Sequence, residues 1–367
     1  RKIYSFTVNG KKVILKNTLC MKFQRVNMLM CLMFRLWEDV SSIVYFLIMQ
    51  NPLICVNGVQ GECAWTIFEG ISSERNRDMV VVRIWEGLGN QMFQYAYAYA
   101  LRQRTGHTVC LDLRHCNRGD FPFEKKDIVK REVGIQHFSI SMKHIDTRKI
   151  FGLRCLENTR KIYVPQYGLL KQRIGRWGIV EDADRITDCL QDIMEPRAFT
   201  YVNAHCMNRK YYSGYREGLL RELKLKREVR ISNDLKKILR DDNTVSIHIR
   251  LTDYLRNPIA ICRQEYYDRA IQCIKEKIDN PCFLIFTDDL HMAKVRYRFR
   301  ENIYWVNEEG CTDYEELAIM SKCRHNIIAE STFSYWGAWL NANPEKIVIA
   351  PRKWFGGRLY EEGWKKL

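Results

Sequence analysis

Short apolar runs alternate with amphipathic stretches along the second half of the chain. From residue 244 onward, runs rich in β-branched and aromatic residues are separated by segments whose apolar positions recur with a helical period. Strands that alternate with helices in this way predict a parallel, doubly wound sheet. The predicted strands are 245–250, 282–287, 303–306, 326–329 and 347–350, and the predicted helices are 266–277, 313–321 and 334–340.

The first half of the chain opens with a predicted strand and helix joined by a glycine turn. A β-branched run begins at Met79, Gly87 and Gly89 follow it, and a helix with an apolar face comes next. The first N–H groups of that helix would point out from the carboxyl ends of the strands, where ligands bind in open α/β folds. A second strand is predicted at 108–113. The apolar face of the helix comprises Phe93, Tyr97, Ala100 and Leu101.

Both halves therefore predict α/β units, and 367 residues suffice for two domains with separate cores. We predict an N-terminal domain at 79–238 and a C-terminal domain at 239–367, with a cleft between them. Residues 1–78 have a different pattern. Their apolar runs at 28–34 and 43–49 are shorter than the roughly 18 residues of a membrane-spanning helix, and their order does not match a signal peptide. We predict an extension that is non-native or disordered, with an extra interaction segment as the alternative.

Composition narrows the class of partner. The formal net charge of +16 suits a polyanionic small ligand, a nucleic acid or an anionic membrane surface. Basic residues are scattered rather than interleaved with aromatic ones, so we predict no nucleic-acid binding. The 14 cysteines show neither a CxxC pair nor metal-type spacing. Because several lie in apolar strands (Cys110, Cys282) or helical runs (Cys189, Cys273), we expect free thiols in a reducing cytoplasm rather than disulfides or a zinc site.

Polar residues follow three of the predicted strands. His248 and Arg250 lie two residues apart on one side of the strand at 245–250, and the arginine fork suits a phosphate. An ion pair between Arg250 and Asp253 that closes the strand end is the alternative. Ser331 and Thr332 stand at a helix start, which favours an anion site or an ordinary helix cap.

Two acidic segments are also candidates. Asp288 and Asp289 follow the strand at 282–287 and could bind a guanine edge or a ribose hydroxyl, or simply cap a loop. The Asp182-Ala183-Asp184 sequence is a pattern that can hold a divalent metal under a nucleotide sugar. Because no predicted strand precedes it, we interpret it as a solvated charge run.

Three stretches together resemble the bacterial α-1,2-fucosyltransferase family, glycosyltransferase family 11. They are GLGNQMFQYA at 87–96, HIRLTDY at 248–254 and STFSYWGAWLN at 331–341. They occur in the order expected for the family. The resemblance spans residues 79 to about 355.

The resemblance implies a GT-B-like pair of Rossmann-type domains. It also implies transfer of L-fucose from GDP-fucose to the 2-hydroxyl of a terminal galactose on a glycan, with inversion at the fucose anomeric carbon. No metal or other cofactor is expected. We expect a cytoplasmic enzyme of O-antigen or capsule synthesis, and the basic charge would allow peripheral contact with the anionic inner face of a membrane.

The resemblance also assigns roles to residues. Arg250 would clamp the donor diphosphate together with the helix start at 331–332, and Asn90 would line the reaction centre. The catalytic candidates are Arg250, His248 and Asn90; the donor-binding candidates are Arg250, Asp253, Asp288, Ser331, Thr332, Phe333, Gly89 and Gln91; and the acceptor-side candidates are Glu86, Asn90 and Tyr95.

The chain departs from the family pattern at four positions, which are Glu86, Thr252, Glu330 and Tyr335. Glycine is usual at the first two, asparagine at the third and tryptophan at the fourth. A carboxylate at Glu330 would weaken donor binding if it pointed toward the phosphates. The departures leave two alternatives open: the same fold with another nucleotide-sugar donor or linkage, and an inactive sugar-nucleotide or glycan-binding protein.

Overall fold

The computed structural model describes residues 3–8, 11–16, 79–114, 116, 131–145, 177–181, 199–241, 243–252, 262–353 and 359–367. The chain divides into two compact units, Arg1–Ser73 and Glu74–Leu367. In the first unit, strands β1 (Ile3–Val8) and β2 (Lys11–Lys16) form an antiparallel hairpin that the sequence did not predict. The apolar runs at 28–34 and 43–49 lie outside the described residues.

The second unit contains two parallel sheets, of which the first has four strands in the order β4-β3-β6-β5. Helix α1 (Leu88–Thr105) connects β3 to β4, so the predicted strand, turn and helix are confirmed. Strands β5 and β6 were not predicted. Because β5 ends at Glu181, the expectation that no strand precedes the Asp182-Ala183-Asp184 sequence was wrong, although these three residues lie outside the described part. The strands are β3 (Met79–Arg83), β4 (Thr108–Asp112), β5 (Trp177–Glu181) and β6 (Phe199–Asn203).

The second sheet has six parallel strands in the order β12-β11-β10-β7-β8-β9. The chain winds outward from β7 in one direction and then returns to build the other side, which is the predicted doubly wound pattern. The strands are β7 (Thr244–Ile249), β8 (Cys282–Thr287), β9 (Ile303–Trp305), β10 (His325–Ile327), β11 (Val348–Ala350) and β12 (Lys365–Lys366). The helices after α1 are α2 (Arg216–Glu222), α3 (Asn233–Ile238), α4 (Gln264–Lys275), α5 (Leu290–Arg296), α6 (Asp313–Lys322) and α7 (Thr332–Leu340).

The first fourteen residues of α1 are buried on all sides of the helix, apart from the part-exposed Asn90. The four predicted apolar-face residues are buried, but so are Tyr95 and Tyr99, so the prediction of a single apolar face was too narrow. The reason is tertiary. Helix α7 packs on α1, where the Phe93 ring stacks on Tyr335 at 5.1 Å and meets the edge of Trp336 at 5.1 Å.

One hydrophobic core therefore joins the two sheets. It includes Val82 from β3, Phe93 from α1, Trp336 and Trp339 from α7, and Val348 from β11. The predicted α/β class with parallel sheets is confirmed. The GT-B-like arrangement of two domains, with a boundary at residue 238 and a cleft, stays a prediction.

Smaller expectations have mixed outcomes. The capping box of Thr312 and Glu315 forms at the start of α6. The Cys282 thiol in β8 is free and buried, whereas the free Cys273 thiol on α4 is only half-buried. Cys110 is buried in β4, and Cys189 lies outside the described residues. Within the described part of the chain, no helix combines the length and the apolar character needed to cross a membrane.

Candidate functional site

Each sheet has a point where the winding direction reverses, and the candidate residues gather at these two points. In the second sheet, β7 and β10 are neighbours, and the chain segments that leave their carboxyl ends carry Arg250 and Ser331. In the first sheet, β3 and β6 are neighbours, and the segments after them carry Glu86 and His205. Ligands of open α/β sheets bind in the crevice outside such reversal points.

Gly89 joins the two reversal points. A Cβ atom placed on Gly89 would lie 2.4 Å from the Phe333 backbone nitrogen and 2.5 Å from the Thr332 carbonyl carbon. The start of α1 therefore packs directly against the start of α7, at a distance that only glycine permits. Motifs that are more than two hundred residues apart in the chain meet at this contact, which brings Gly89, Thr332 and Phe333 together.

His248 lies on β7 and is almost fully buried beside the Phe333 ring, with ring centroids 5.3 Å apart. The sequence placed this residue where the strand opens to solvent, and the structure places it inside. Burial lowers the pKa of His248 to about 3; the Asp288 carboxylate opposes this shift and the Arg250 guanidinium adds to it. The imidazole is therefore neutral at physiological pH.

Arg250 follows β7, and its guanidinium forms an ion pair with Asp288 at 3.0 Å. Asp288 also accepts hydrogen bonds from the backbone N–H groups of Leu251 (2.7 Å) and Thr252 (3.1 Å). These contacts make Asp288 the residue that shapes the segment after β7 and holds Arg250. The contacts of Asp288 therefore match the alternative of a capped loop. Asp289 caps helix α5 by accepting a hydrogen bond from the Met292 N–H. Asp253 lies outside the described residues.

Ser331 is the first residue of the third motif and the N-cap position of α7, yet its hydroxyl does not cap the helix. The first helical hydrogen bond runs from the Tyr335 N–H to the Ser331 carbonyl, at 2.9 Å. The N–H groups before it lack intrahelical partners, as at any helix start. The hydroxyl that secures this turn is that of Ser334, which accepts from the Ala329 N–H at 2.9 Å.

At the first sheet, the glycine turn carries a carboxylate. The Asn90 side-chain amide donates to Glu86 Oε2 at 2.5 Å, and His205 Nε2 lies 3.5 Å from the same oxygen. His205 was not predicted as a site residue, because the sequence did not identify β6, the strand that places it. Both Glu86 and Asn90 are part-exposed at the start of α1.

Two predicted site residues are engaged inside the fold. Gln91 is fully buried; its amide donates to the backbone carbonyls of Glu86 and Glu132 (both 2.7 Å) and accepts from Ile135 N–H. Gln91 therefore fixes the glycine turn to the segment at 131–135. The hydroxyl of the fully buried Tyr95 bonds to Glu222. Direct contact of Gln91 or Tyr95 with a ligand remains a prediction.

Comparison with known proteins identifies the chain. The family model for glycosyl transferase family 11 matches residues 190–364. The O-antigen biosynthesis glycosyltransferase WbnK of Escherichia coli is 29% identical over 77% of this chain and 98% of its own length. An alpha-1,2-colitosyltransferase of Escherichia coli is 30% identical over 76% of this chain and 92% of its own length. The chain belongs to glycosyltransferase family 11. A third relative, the galactoside 2-alpha-L-fucosyltransferase SEC1 of Bos taurus, is 22% identical over 40% of this chain and 43% of its own length.

The structure accounts for three of the positions at which this family 11 glycosyltransferase departs from the family pattern. Glu86 adopts a left-handed conformation with φ at 65°, which explains why glycine suits the position. Thr252 has no positive φ, and its hydroxyl bonds to Asp288. The Tyr335 hydroxyl donates to Glu361 at 2.5 Å and lies 2.9 Å from the Tyr212 hydroxyl, so the polar atom is satisfied within the core.

Glu330, the fourth departure, is half-buried beside the segment that carries Cys262. Burial raises the pKa of the Glu330 carboxyl, and the Cys262 thiol bonds to its backbone. Burial therefore disfavours the ionised form of this carboxyl, which stands just before the helix start.

Glu316 is an acidic residue that the sequence did not single out as a site candidate. Glu316 on α6 accepts from the Asn307 amide at 2.8 Å, and the same amide group joins Asn307 to Thr287 at the end of β8. Burial raises the pKa of Glu316 to about 8, with smaller contributions from Asp313 and Asp288. The carboxyl is thus mostly protonated at neutral pH. Only the folded arrangement distinguishes it from the other glutamates of this acidic helix start.

Proposed function

We propose that this glycosyltransferase moves L-fucose from GDP-fucose to the 2-hydroxyl of a galactose on a surface-glycan precursor, with inversion and without a metal. The contact of Gly89 with Thr332 and Phe333 carries the proposal. It brings the helix start that follows β10 against the glycine turn that follows β3. We assign the first to the donor side and the second to the acceptor side. The three family motifs each contribute to this one place.

Arg250 and the start of α7 form the proposed donor side. Asp288 holds the guanidinium at 3.0 Å, so the positive charge is fixed in place before the donor arrives. Arginine presents a planar fork of donors that matches a phosphate group. Together with the first N–H groups of α7, it would stabilise the negative charge that grows on GDP as the sugar–phosphate bond breaks. Because GDP leaves as a stable anion, this arrangement needs neither a general acid nor a divalent cation.

His248 would serve the donor side as a neutral group. Because the pKa of His248 is low, its imidazole is uncharged and adds no positive charge beside the phosphates. A buried neutral imidazole can still donate or accept one hydrogen bond. We therefore propose that His248 positions the donor beside Phe333 and takes no part in proton transfer. A glycosyl donor needs such orientation because the reacting carbon must face the acceptor.

Colitose is the second candidate for the transferred sugar. One relative is named for colitosyl transfer and another for fucosyl transfer, and colitose differs from fucose by the absence of the 3-hydroxyl. A site that hydrogen-bonds that hydroxyl would strongly reject the sugar lacking it, whereas an apolar wall would not. The choice between these donors is therefore a measurable property of the sugar pocket.

Acceptor-dependent release of GDP by the full chain tests the proposal. The donors are GDP-fucose, GDP-colitose and, as a control, GDP-mannose; the acceptors are lactose and a panel of galactose-ended glycans. We expect release with GDP-fucose above the other two donors and an α-1,2 linkage in the product. Faster release with GDP-colitose would show that colitose, not fucose, is the transferred sugar, and the protein would still be a glycosyltransferase. Tight GDP binding with no product from any pair would favour a binding protein.

Arg250→Ala should lower kcat/KM for GDP-fucose by about 100-fold or more, since a charge-assisted contact to the leaving group is lost. Arg324→Ala is the matched control, because Arg324 pairs with the exposed Glu345 at 3.2 Å on the surface. Turnover that survives Arg250→Ala unchanged would show that the second motif does not bind the diphosphate.

A further inference from the structure

Glu316 lies on the same face of the second sheet as the residues assigned to the donor. Helix α6 covers that face, because Ile319 from α6 packs with Phe286 from β8 in one core cluster. Phe286 is the register partner of His248 on β7. Residues that pair in parallel strands point to the same face, and so do residues two positions apart along one strand. His248 and Arg250 therefore point toward the side on which α6 and its Glu316 lie.

A short chain of hydrogen bonds connects Glu316 to the Arg250 guanidinium. The Asn307 side-chain amide donates to Glu316 Oε1 at 2.8 Å and to the Thr287 carbonyl at 2.7 Å, and its oxygen accepts from the Thr287 N–H at 3.1 Å. The next residue, Asp288, pairs with Arg250 at 3.0 Å. Asn307 thus holds the Glu316 carboxyl at the carboxyl end of β8, beside the ion pair that we assign to the diphosphate.

Two polar side chains on this face each have an atom without a partner. The bond from Asn307 uses Oε1 of Glu316, whereas Oε2 has no hydrogen-bond partner in the part of the chain that the structure describes. The Glu316 side chain is part-exposed. His248 is 3% exposed, and its buried Nδ1 atom likewise has no partner among the described residues. A buried polar atom without a partner is costly, and a bound ligand can supply the missing hydrogen bond.

The position of Glu316 selects the part of the donor that it would meet. The diphosphate is assigned to the junction of β7 and β10, whereas Asn307 and Glu316 lie at the junction of β8 and β9. Neighbouring strands lie about 4.8 Å apart, so the two junctions are about 10 Å apart. The base is the part of a nucleoside diphosphate that is furthest from the phosphates. The ribose, which is joined directly to the phosphates, would lie between the two junctions, near Asp288.

From this geometry we infer that Glu316 binds the guanine base of the donor and accepts hydrogen bonds from its N1–H and 2-amino groups. The inference rests on the proposed function and names the part of the donor that Glu316 recognises. An ionised carboxylate only accepts hydrogen bonds, and guanine presents two adjacent N–H donors on one edge. Because fucose and colitose would both arrive on GDP, the inference holds for either sugar.

Binding of the base should release a proton. Without a ligand, Glu316 is mostly protonated at neutral pH, since burial raises its pKa to about 8. Hydrogen bonds to the ionised form lower a pKa, so two N–H donors from guanine would favour the carboxylate, and the proton passes to the solvent. Asp313 on α6 and Asp288 after β8 are charged groups that act on Glu316, and both raise its pKa. Three groups from the segment that packs on the start of α6 act on Asp313: Arg131, Glu132 and His137.

Calorimetric titration with GDP in two buffers of different ionisation enthalpy counts the protons released. At pH 7 the wild type should release about 0.9 proton per GDP more than Glu316→Gln, because a group with a pKa of about 8 is about 90% protonated at that pH. The comparison between the two proteins removes any proton that GDP itself loses. Glu308→Gln is the matched control and should match the wild type, since Glu308 is the exposed neighbour of Asn307 and pairs with Lys294 at 2.5 Å.

Inosine diphosphate, which lacks the 2-amino group, measures recognition of the base. The wild type should bind GDP more tightly than inosine diphosphate by about 10-fold or more, as expected for a hydrogen bond to a charged group. In Glu316→Gln the Asn307 amide still engages the side-chain oxygen, so the new NH2 group faces the donors of guanine. The preference for GDP should then fall below about threefold, while kcat at saturating GDP-fucose stays within about threefold of wild type.

A preference for GDP and a proton release that Glu316→Gln leaves unchanged would overturn the inference alone. Equal affinity of the wild type for GDP and inosine diphosphate would also overturn it. So would an equal loss of affinity for both nucleotides in Glu316→Gln, which would place the ribose rather than the base against Glu316. A wild type that binds neither nucleotide would instead contradict the proposed function on which the inference rests.

Discussion

Gly89→Ala tests whether the contact between α1 and α7 assembles the site. The new Cβ atom would lie 2.4 Å from Phe333 N, 2.5 Å from the Thr332 carbonyl carbon and 2.6 Å from Thr332 Oγ1. Ordinary contacts of a Cβ atom begin at 3.4 Å, so the two helix starts must separate by about 1 Å. Two of the three atoms belong to the backbone, and neither can move aside as a flexible side chain would.

Both stability and ligand binding should suffer. Overpacking of a well-packed core costs about 1–3 kcal/mol, and backbone atoms in contact favour the upper end of that range. For a unit of this size, about 3 kcal/mol corresponds to a fall in Tm of about 6–12 °C. A displacement of about 1 Å also exceeds the range over which a hydrogen bond holds. Loss of one charge-assisted bond to the diphosphate would weaken GDP binding by about 10- to 100-fold.

Thermal unfolding and calorimetric titration with GDP measure the two effects, and Gly87→Ala is the matched control. Gly87 has φ at −71°, and a Cβ atom placed there meets nothing within 4 Å. The control should therefore change stability by less than about 1 kcal/mol and leave GDP binding intact. Equal Tm and equal GDP affinity for the two variants would refute the close contact of the two helix starts.

Two further substitutions test the part-buried Glu316 carboxyl and the buried Tyr335 hydroxyl. Glu316→Gln keeps an acceptor for the Asn307 amide. The pKa of Glu316 is raised to about 8 in the folded protein. The stability that the Glu316 carboxyl contributes to the folded state is therefore complete below the unfolded pKa near 4.5 and is lost as pH rises toward 8. Urea unfolding should show the variant more stable than wild type at pH 8 by roughly 2–4 kcal/mol, with little difference at pH 4.5, and a parallel pH dependence would contradict the raised pKa. Tyr335→Phe removes the partner of the buried Tyr212 hydroxyl and should destabilise by about 1–3 kcal/mol, whereas a change in Tm within 1 °C would argue against the pairing with Tyr212 and Glu361.

The sequence located most strands because parallel strands are buried on both faces. Residues 282–287 form β8 as predicted, and the other predicted strands differ from the observed ones by one or two residues at their ends. Strand β6 (Phe199–Asn203) was missed although four of its five residues are of types that favour strands. Its pairing with β3 and β5 makes it a strand, and pairing is not visible in local composition.

The same distinction applies to the site. The motif around His248 could be recognised from its residues, but the depth of His248 depends on the packing of Phe333 from another element. The pairing of Glu86 with His205 depends on the neighbouring positions of β3 and β6, and no local pattern encodes that neighbourhood.

The sequence by itself determined the α/β class, the order of the motifs and the membership of glycosyltransferase family 11, because each depends on residues that are close together in the chain. Tertiary structure alone decided which charges are buried, which carboxylates remain ionised and which motifs touch. Those properties depend on distances between elements and on the water that packing excludes. Gly89 is an example of both: the turn that it forms can be predicted locally, but only the structure shows that a side chain there would collide with the start of helix α7.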